Sequence, residues 1–191
     1  MSNESELMRQ LGEYKPYNEQ EARDRDAILA FLSSDVVDPY SRENLTAHMT
    51  ASAWIVNSAR TMVLMVYHNL YDSWSWTGGH ADGERNMLHV ALKEAREETG
   101  VEHIRPISDD IFSVECLTVD GHEKRRQYVP SHIHMNVTYL LEADEKDTLH
   151  ICEGENSGVK WFALEDAPRA SSEPWFVERI YKKLNAKLAE Y

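Results

Sequence analysis

The stretch GGHADGERNMLHVALKEAREETGV, residues Gly78 to Val101, decides how the rest of the chain is interpreted. Two glycines open it, and no proline or glycine interrupts the segment from Arg85 to Thr99, so one helix can cover that segment. Gly100 follows at the position where a residue in the left-handed conformation commonly ends a helix. The stretch therefore predicts a glycine loop followed by a helix of about four turns.

Three carboxylates crowd one face near the end of this predicted helix. At about 100° per residue, Glu97 and Glu98 fall on either side of Glu94. Like charges at this spacing destabilise a helix by roughly 0.2–0.5 kcal/mol per pair, and the helix dipole disfavours them further at the C-terminal end. A hard divalent cation relieves the repulsion, because Mg²⁺ prefers oxygen ligands and reverses the local charge. The cluster therefore predicts a metal site.

The stretch resembles the Nudix box, the signature of the Nudix hydrolases, which is written G-x5-E-x7-R-E-U-x-E-E-x-G-U with U an aliphatic residue. Arg85 stands where the family has Glu, and Lys93 stands where it has Arg. The alternative interpretation is an acidic surface helix without chemistry. Counted from Gly79, the matching positions are Glu94, Ala95, Glu97, Glu98, Gly100 and Val101.

The resemblance implies an α/β fold, namely a Nudix-type α/β/α sandwich with a mixed β-sheet, here with an added N-terminal helical extension. It also implies hydrolysis of the diphosphate linkage in a nucleoside diphosphate joined to another group. By resemblance, Glu97 and Glu98 are metal ligands together with the backbone carbonyl of Gly79. Glu94 is a third ligand or orients a metal-bound water. The implied cofactor is Mg²⁺ or Mn²⁺.

Further candidates for catalysis and substrate binding lie outside the box. Nudix enzymes often use a Glu several residues before a Trp-bearing strand as base or metal ligand, and Glu155 lies six residues before Trp161. Glu155 is therefore the candidate general base. Lys124, Arg125 and Arg126 form a dense basic cluster, which predicts either a solvated surface or a loop that contacts the diphosphate.

Alternation along predicted strands supplies the remaining candidates. His132, His134 and Asn136 share one face of the strand His132–Glu142. This is either a solvated face or the wall of a ligand cleft, where the histidines bond phosphate or lie beside a metal. Trp76, just before the glycine pair, is predicted either to stack on a base or sugar or to pack in the core.

The chain divides into an N-terminal extension, residues 1–45, and a Nudix domain, residues 46–191. The extension is predicted to contain a short helix around Glu4–Gly12 and a second helix started by a capping box at Asn18 and Glu21. It packs on the domain or on a second subunit, so a homodimer is an option. The predicted strands are Ala51–Val56, Met62–Tyr67, Tyr71–Thr77, Ile111–Val119, His132–Glu142 and Val159–Phe162, and a last helix starts at Pro174.

The composition limits partners and location. A net charge of −13 argues against binding of nucleic acid, which needs clustered Lys and Arg, and leaves a small nucleotide derivative as the expected partner. No apolar run reaches the length of a membrane span, and MSNESELMRQ lacks the features of a signal peptide. Cys116 and Cys152 form neither a disulfide framework nor a metal-binding spacing. The cytoplasm is the expected location.

Two other functions remain open from the sequence. The first is a Nudix-like module that binds a nucleotide without cleaving it, an interpretation that the departures at Arg85 and Lys93 support and the three retained glutamates oppose. The second is an isopentenyl-diphosphate isomerase, which shares the fold and uses a cysteine for proton transfer. Neither cysteine of this chain lies in a motif typical of that enzyme.

The departures also predict a compensating ion pair. In the family, the first Glu and the Arg of the box pair and tie the glycine loop to the helix. Arg85 and Lys93 would repel each other in that geometry, whereas Glu84 offers a carboxylate one residue earlier. We therefore expect Glu84 to pair with Lys93 and Arg85 to turn toward solvent or a neighbouring acid.

Overall fold

The computed structural model describes residues 3–35, 38–124 and 126–191, with the side chains of residues 3–5 and 124 outside the description. The chain forms two compact units, each assembled from three separate segments. The first unit comprises Met1–Ser52, Gly79–Val90 and Asp110–Tyr139. The second unit comprises Ala53–Gly78, Ala91–Asp109 and Leu140–Tyr191.

The chain combines helices with β-sheet strands, which confirms the predicted α/β class, and it begins with the predicted N-terminal helices. No helix in the described ranges is long and apolar enough to cross a membrane. The helices are α1 (Asn3–Glu13), α2 (Glu19–Leu32), α3 (Met87–Thr99), α4 (Ala167–Ala170), α5 (Pro174–Phe176) and α6 (Lys182–Leu188), and a π-helical turn (Val177–Tyr181) joins the last two. The strands are β1 (Ala47–Val56), β2 (Met62–His68), β3 (Ser73–Ser75), β4 (Thr77–His80), β5 (Ile104–Pro106), β6 (Ser113–Val119), β7 (His122–Lys124), β8 (Gln127–Val129), β9 (His132–Ala143) and β10 (Asn156–Ala163).

The N-terminal helices pack within the first unit. The side chain of Asn18 accepts a hydrogen bond from the backbone N–H of Glu21 at 2.9 Å, which confirms the predicted start of α2. Helix α2 packs against β6. The Glu21 carboxylate is fully buried and accepts hydrogen bonds from the hydroxyls of Tyr14 at 2.6 Å and Ser113 at 2.8 Å. The extension is thus joined to β6 by a buried polar contact. The domain boundary at residue 45 stays a prediction.

Asn136 on β9 is the centre of a buried polar network in the first unit. Its Oδ1 accepts hydrogen bonds from the hydroxyls of Thr50 at 2.9 Å and Ser52 at 3.0 Å, both on β1. Its Nδ2 donates to Glu115 of β6 at 3.0 Å. The Glu115 carboxylate also lies against the hydroxyl of Ser113, which it shares with Glu21. Since Asn136 is completely buried, this face of β9 is interior rather than solvated.

Strand β2 is central in the second unit, as its continuous apolar sequence predicts. It pairs antiparallel with β1, β3 and β10, and its residues from Val63 to Val66 are fully buried. Strands β1 and β2 form a hairpin, in which Arg60 adopts a left-handed φ of 54°. Strand β5, which the sequence did not predict, pairs antiparallel with the end of β9.

The C-terminal helical segment supplies core residues to the second unit. The sequence places Phe176, Ile180, Leu184 and Leu188 four residues apart on one helix face, and the last three are buried while Phe176 is half-buried. The π-helical turn also brings Tyr181 into the core, where its ring stacks on Trp54 with a centroid distance of 5.6 Å.

Helix α3 ends at Gly100, as predicted, and the position tolerates no side chain. Gly100 has a left-handed φ of 77°. A Cβ atom there would lie 2.8 Å from Cδ2 and 2.9 Å from the backbone nitrogen of His150. That nitrogen is fixed because it donates to the carbonyl of Thr99 at 2.8 Å. Both the backbone conformation and the close approach therefore require glycine.

We expect Gly100→Ala to lower the free energy of unfolding by on the order of 2–3 kcal/mol, the sum of left-handed strain and a steric clash. Gly83→Ala is the matched control, because Gly83 has a φ of 90° but nothing within 4 Å of its Cβ position. It should show the conformational part alone, about 1–2 kcal/mol. Chemical denaturation measures both values. Equal losses in the two variants would contradict the role of the His150 contact.

Candidate active site

The three predicted carboxylates lie on the last turns of α3, in the second unit, and differ in exposure. Glu98 is 6% exposed. The side chain of Glu94 is 14% exposed and that of Glu97 is 55% exposed. The exposed fraction of the three carboxylates on the predicted acidic face therefore differs widely, and Glu98 is the most buried of them.

Glu98 carries a buried oxygen that lacks a partner. Its Oε2 has no hydrogen-bond partner among the described residues, while its carboxylate accepts a hydrogen bond from the backbone of Gly78. Burial raises the pKa of Glu98 well above its usual value, and the negative charges of Glu94 and Glu155 raise it further. Buried polar atoms are nearly always paired, so an unpaired carboxylate oxygen beside other acids fits a cation site.

Lys93 partly neutralises this acidic face. Its Nζ lies 3.1 Å from Oε1 of Glu94 and 3.2 Å from Oε2 of Glu97. Burial raises the pKa of Glu94, and Lys93 opposes that effect. The two carboxylates in turn raise the pKa of Lys93. Lys93 thus forms ion pairs with the acidic residues of its own helix.

The predicted pair between Glu84 and Lys93 is wrong. Glu84 instead accepts hydrogen bonds from the backbone N–H groups of Arg85 at 2.7 Å and Asn86 at 2.9 Å. Its other oxygen lies 2.9 Å from Nδ1 of His89. These N–H groups belong to the two residues just before α3, so the Glu84 carboxylate is satisfied by its immediate neighbours in the chain rather than by Lys93.

Arg85 turns toward a neighbouring acid, as predicted. Its guanidinium lies 3.5 Å from the carboxylate of Asp38 and 4.8 Å from the ring centroid of Tyr40. The two departures from the box are therefore accommodated separately, Arg85 by a contact with residues 38 and 40 and Lys93 by the acids of α3.

The candidate base, Glu155, lies in a loop that is attached to α3 within the second unit. The neighbouring Asn156 is buried, donates from Nδ2 to the carbonyl of Glu98 at 2.9 Å, and accepts from the backbone N–H of Cys152 at 3.2 Å. Glu155 is exposed, and its charge contributes to the raised pKa of both Glu94 and Glu98. The structure thus brings Glu155 near the acidic cluster, and its role as base stays a prediction.

The other predicted substrate-binding residues are placed differently. Arg125 and the side chain of Lys124 lie outside the described residues, and Arg126 is exposed with a left-handed φ of 64°. Trp76 is buried and packs against Tyr181 at a centroid distance of 6.1 Å, as its core alternative predicts. Gly79 lies in β4. Metal ligation by Gly79 and substrate binding by these side chains stay predictions.

His132 and His134 lie side by side in the first unit, with their Nε2 atoms 3.1 Å apart. His48 and His80 join them, and one ring nitrogen from each of the four lies within 4.8 Å of the others. Neither His48 nor His80 is among the site residues predicted from the sequence. Four of the nine histidines thus converge, although His48 and His80 lie outside the strands predicted from the sequence, Ala51–Val56 and Tyr71–Thr77.

Comparisons with known proteins agree with this fold and box. The mouse (Mus musculus) asymmetrical bis(5'-nucleosyl)-tetraphosphatase is 25% identical over 135 residues, which cover 70% of this chain and 80% of that protein. A Caenorhabditis elegans Ap4A hydrolase binary complex superposes with a TM-score of 0.54 at 21% identity, covering 75% of this chain and 98% of that chain. A NUDIX-family hydrolase from Clostridium perfringens gives 0.52 at 19% identity, covering 75% and 97%.

These two structures show the fold, which is the Nudix type that the resemblance implied. The sequence profile of the NUDIX domain matches residues 46–184, well over half of the chain. The chain therefore belongs to the NUDIX domain family.

Proposed function

We propose that this Nudix pyrophosphohydrolase requires a divalent cation and cleaves the diphosphate linkage of a nucleoside diphosphate joined to another group. The observation that carries the proposal is the buried, unpaired Oε2 of Glu98 beside Glu94. The mouse and C. elegans relatives are named for hydrolysis of dinucleoside tetraphosphates. Such a compound contains a nucleoside diphosphate joined to a second nucleotide, so it is the first substrate to test.

The donor set fits a hard cation. Glu94, Glu97 and Glu98 offer only carboxylate oxygens, which suit Mg²⁺ or Mn²⁺. Ligation by the carbonyl of Gly79 belongs to the same proposal. When bound, the cation would neutralise phosphate oxygens and lower the pKa of a coordinated water.

Side chains outside the acidic cluster would carry out proton transfer and substrate binding. Glu155 accepts a proton from water as the water oxygen bonds to phosphorus and the anhydride P–O bond breaks. The exposed position of Glu155 leaves it open to water and substrate. The basic loop, Lys124 to Arg126, would bind the diphosphate. Binding roles for Trp76, His132 and His134 remain part of the proposal.

The cysteines do not favour the isomerase alternative. Burial raises the pKa of Cys116 to about 12, and its Sγ lies 3.7 Å from the carbonyl of Asp24. Burial and the charge of Glu155 raise the pKa of Cys152. A thiol becomes reactive where its pKa is lowered, and neither cysteine meets that condition.

A panel of substrates tests the proposal. The protein is incubated with Ap4A, ADP-ribose, a nucleotide sugar and an oxidised nucleoside triphosphate, each with Mg²⁺, with Mn²⁺ and with EDTA. We expect hydrolysis of at least one compound, only in the presence of metal, with products separated by chromatography. In ¹⁸O-labelled water, one ¹⁸O atom should enter a phosphate product.

Two results would overturn the proposal. Hydrolysis that persists in EDTA would remove the cation from the reaction. Tight nucleotide binding by calorimetry, without turnover of any compound in the panel, would instead identify a nucleotide-binding module.

A further inference from the structure

Four histidines of the first unit form a compact cluster, and a substrate-binding role for His132 and His134 alone does not explain why His48 and His80 join them. Their ring centroids are 4.9–5.1 Å apart in five of the six pairs. One nitrogen from each ring lies within 4.8 Å of the other three. The members are His48 on β1, His80 at the end of β4, and His132 and His134 on β9.

Hydrogen bonds to backbone carbonyls orient two of the rings. Nδ1 of His48 lies 3.1 Å from the carbonyl oxygen of Asn44, and Nδ1 of His132 lies 2.9 Å from that of Pro130. A carbonyl oxygen only accepts, so both Nδ1 atoms carry the proton in the neutral rings. Each Nε2 then presents a lone pair. Histidines that bind metals through one nitrogen typically donate the other N–H to a carbonyl in this way.

The lone pair of His48 is buried without a partner. His48 is 4% exposed, and its Nε2 has no hydrogen-bond partner within the described part of the chain. A buried acceptor without a donor is rare and unfavourable. Its ring is surrounded by those of the other three histidines, so the unsatisfied atom belongs to the cluster.

Burial disfavours a positive charge on two of the four rings, those of His48 and His134. Burial lowers the pKa of His134 to about 2, and the nearby His80, His48 and His132 add to this effect. Burial also lowers the pKa of His48. Neutral imidazole is the ligand form, so neither ring must lose a proton near neutral pH.

We propose that His48, His80, His132 and His134 form a second metal site, which binds a borderline divalent transition metal such as Zn²⁺. Imidazole nitrogens suit Zn²⁺, whereas Mg²⁺ prefers the oxygens of the acidic cluster. In a tetrahedral site with Zn–N bonds near 2.0–2.1 Å, the nitrogens are about 3.3 Å apart. The Nε2 atoms of His132 and His134 are 3.1 Å apart, which is already close to that value. Rotation of the other rings would bring their nitrogens, now within 4.8 Å, to similar distances.

Four protein ligands make the site structural rather than catalytic, because no coordination position remains for water or substrate. The ion would connect β1, β4 and β9 at residues 48, 80, 132 and 134. It would also anchor His80, which directly follows the two glycines of the box. A closed site of this kind would replace the substrate-binding role proposed for His132 and His134, and it requires nothing of the acidic cluster on α3.

Metal content and spectroscopy test the site directly. The full chain is stripped with a chelator and dialysed against Zn²⁺ in slight molar excess over protein, together with a large excess of Mg²⁺, and zinc is then counted by elemental analysis. We expect one Zn²⁺ per chain. A hundredfold excess of Zn²⁺ over its Kd should raise Tm by about 5–10 °C. Replacement by Co²⁺ should give the intense visible bands of four-coordinate cobalt.

Variants assign the ion to the histidines. His48→Gln and His134→Gln should each weaken Zn²⁺ binding at least about a hundredfold, since loss of even a supporting partner costs 10–100-fold. His103→Gln is the matched control, because His103 is exposed and pairs with Asp147 in the second unit. Glu98→Gln should retain the zinc, which separates this site from the acidic cluster.

Three outcomes would overturn the proposal. They are a wild-type protein that takes up no zinc, a Co²⁺ spectrum typical of six-coordination, and zinc that is lost in Glu98→Gln but kept in both histidine variants. The wild-type cobalt spectrum decides the question even if a histidine variant fails to fold. Failure of the substrate panel alone would leave the zinc results unchanged, so the two proposals are tested separately.

Discussion

Replacing Glu98 with Gln is expected to lower kcat at least about a hundredfold, because loss of a group that merely supports a metal ligand already costs 10–100-fold. Glutamine keeps the shape of the side chain but loses the charge that a cation needs. The Oε2 atom of Glu98 is buried and has no hydrogen-bond partner among the described residues, so it is the oxygen proposed to bind the cation. Steady-state kinetics with the best substrate of the panel measure the effect.

The same substitution should raise Tm in EDTA. Without a cation, the folded protein buries the Glu98 carboxylate beside Glu94, and Gln removes both the burial of charge and the repulsion. Glu102→Gln is the matched control, since Glu102 is exposed just beyond α3. An unchanged kcat in Glu98→Gln would exclude Glu98 as a ligand, and a large loss in Glu102→Gln would show that the effect is not specific.

Asn136→Ala is expected to lower the free energy of unfolding by on the order of 3–5 kcal/mol. Each buried group left without a partner costs about 1–3 kcal/mol. The substitution removes the acceptor of Thr50 and Ser52 and a donor to the Glu115 carboxylate. Water cannot readily replace these bonds because Asn136 is completely buried. Urea unfolding followed by circular dichroism measures the change.

Asn69→Ala serves as the comparison for this substitution. Asn69 is exposed in the turn after β2, so its loss should change stability by less than about 0.5 kcal/mol. A loss below about 1 kcal/mol in Asn136→Ala would contradict a network centred on this residue.

Helix α3 and its acidic face could be predicted because their signals are local. The uninterrupted segment before Gly100 sets the helix, and the spacing of Glu94, Glu97 and Glu98 sets the face. The capping of α2 by Asn18 was predictable for the same reason. In each case, residues a few positions apart determine the geometry.

Features that depend on distant partners could not be predicted. Strand β5 has only three residues, Ile104–Pro106, and exists because it pairs with β9. Glu84 lies close to Lys93 in the sequence. In the structure, however, its carboxylate accepts hydrogen bonds from the backbone N–H groups of Arg85 and Asn86, just before α3. His48 and His80 meet His132 only through the tertiary fold, and no periodicity connects them.

The interleaved composition of the two units bears on how the chain folds during synthesis. A buried hydrogen bond joins Thr50 to Asn136, 86 residues apart, and a partly buried one joins Asn57 to Glu145, 88 residues apart. Such long-range contacts slow folding, because much of the chain must be ordered before they form. The first unit is complete only when the chain has been synthesised to Tyr139, and the second unit only when the C-terminal helices have been synthesised.

Ribosomes add about 5–20 residues per second, so the 191 residues emerge over roughly 10–40 s. For much of that interval, β2 lacks its partner β10 and exposes a continuous apolar strand. We therefore expect the nascent chain to depend on chaperones at Met62–His68, and its yield in rapid overexpression to be limited by aggregation through that segment.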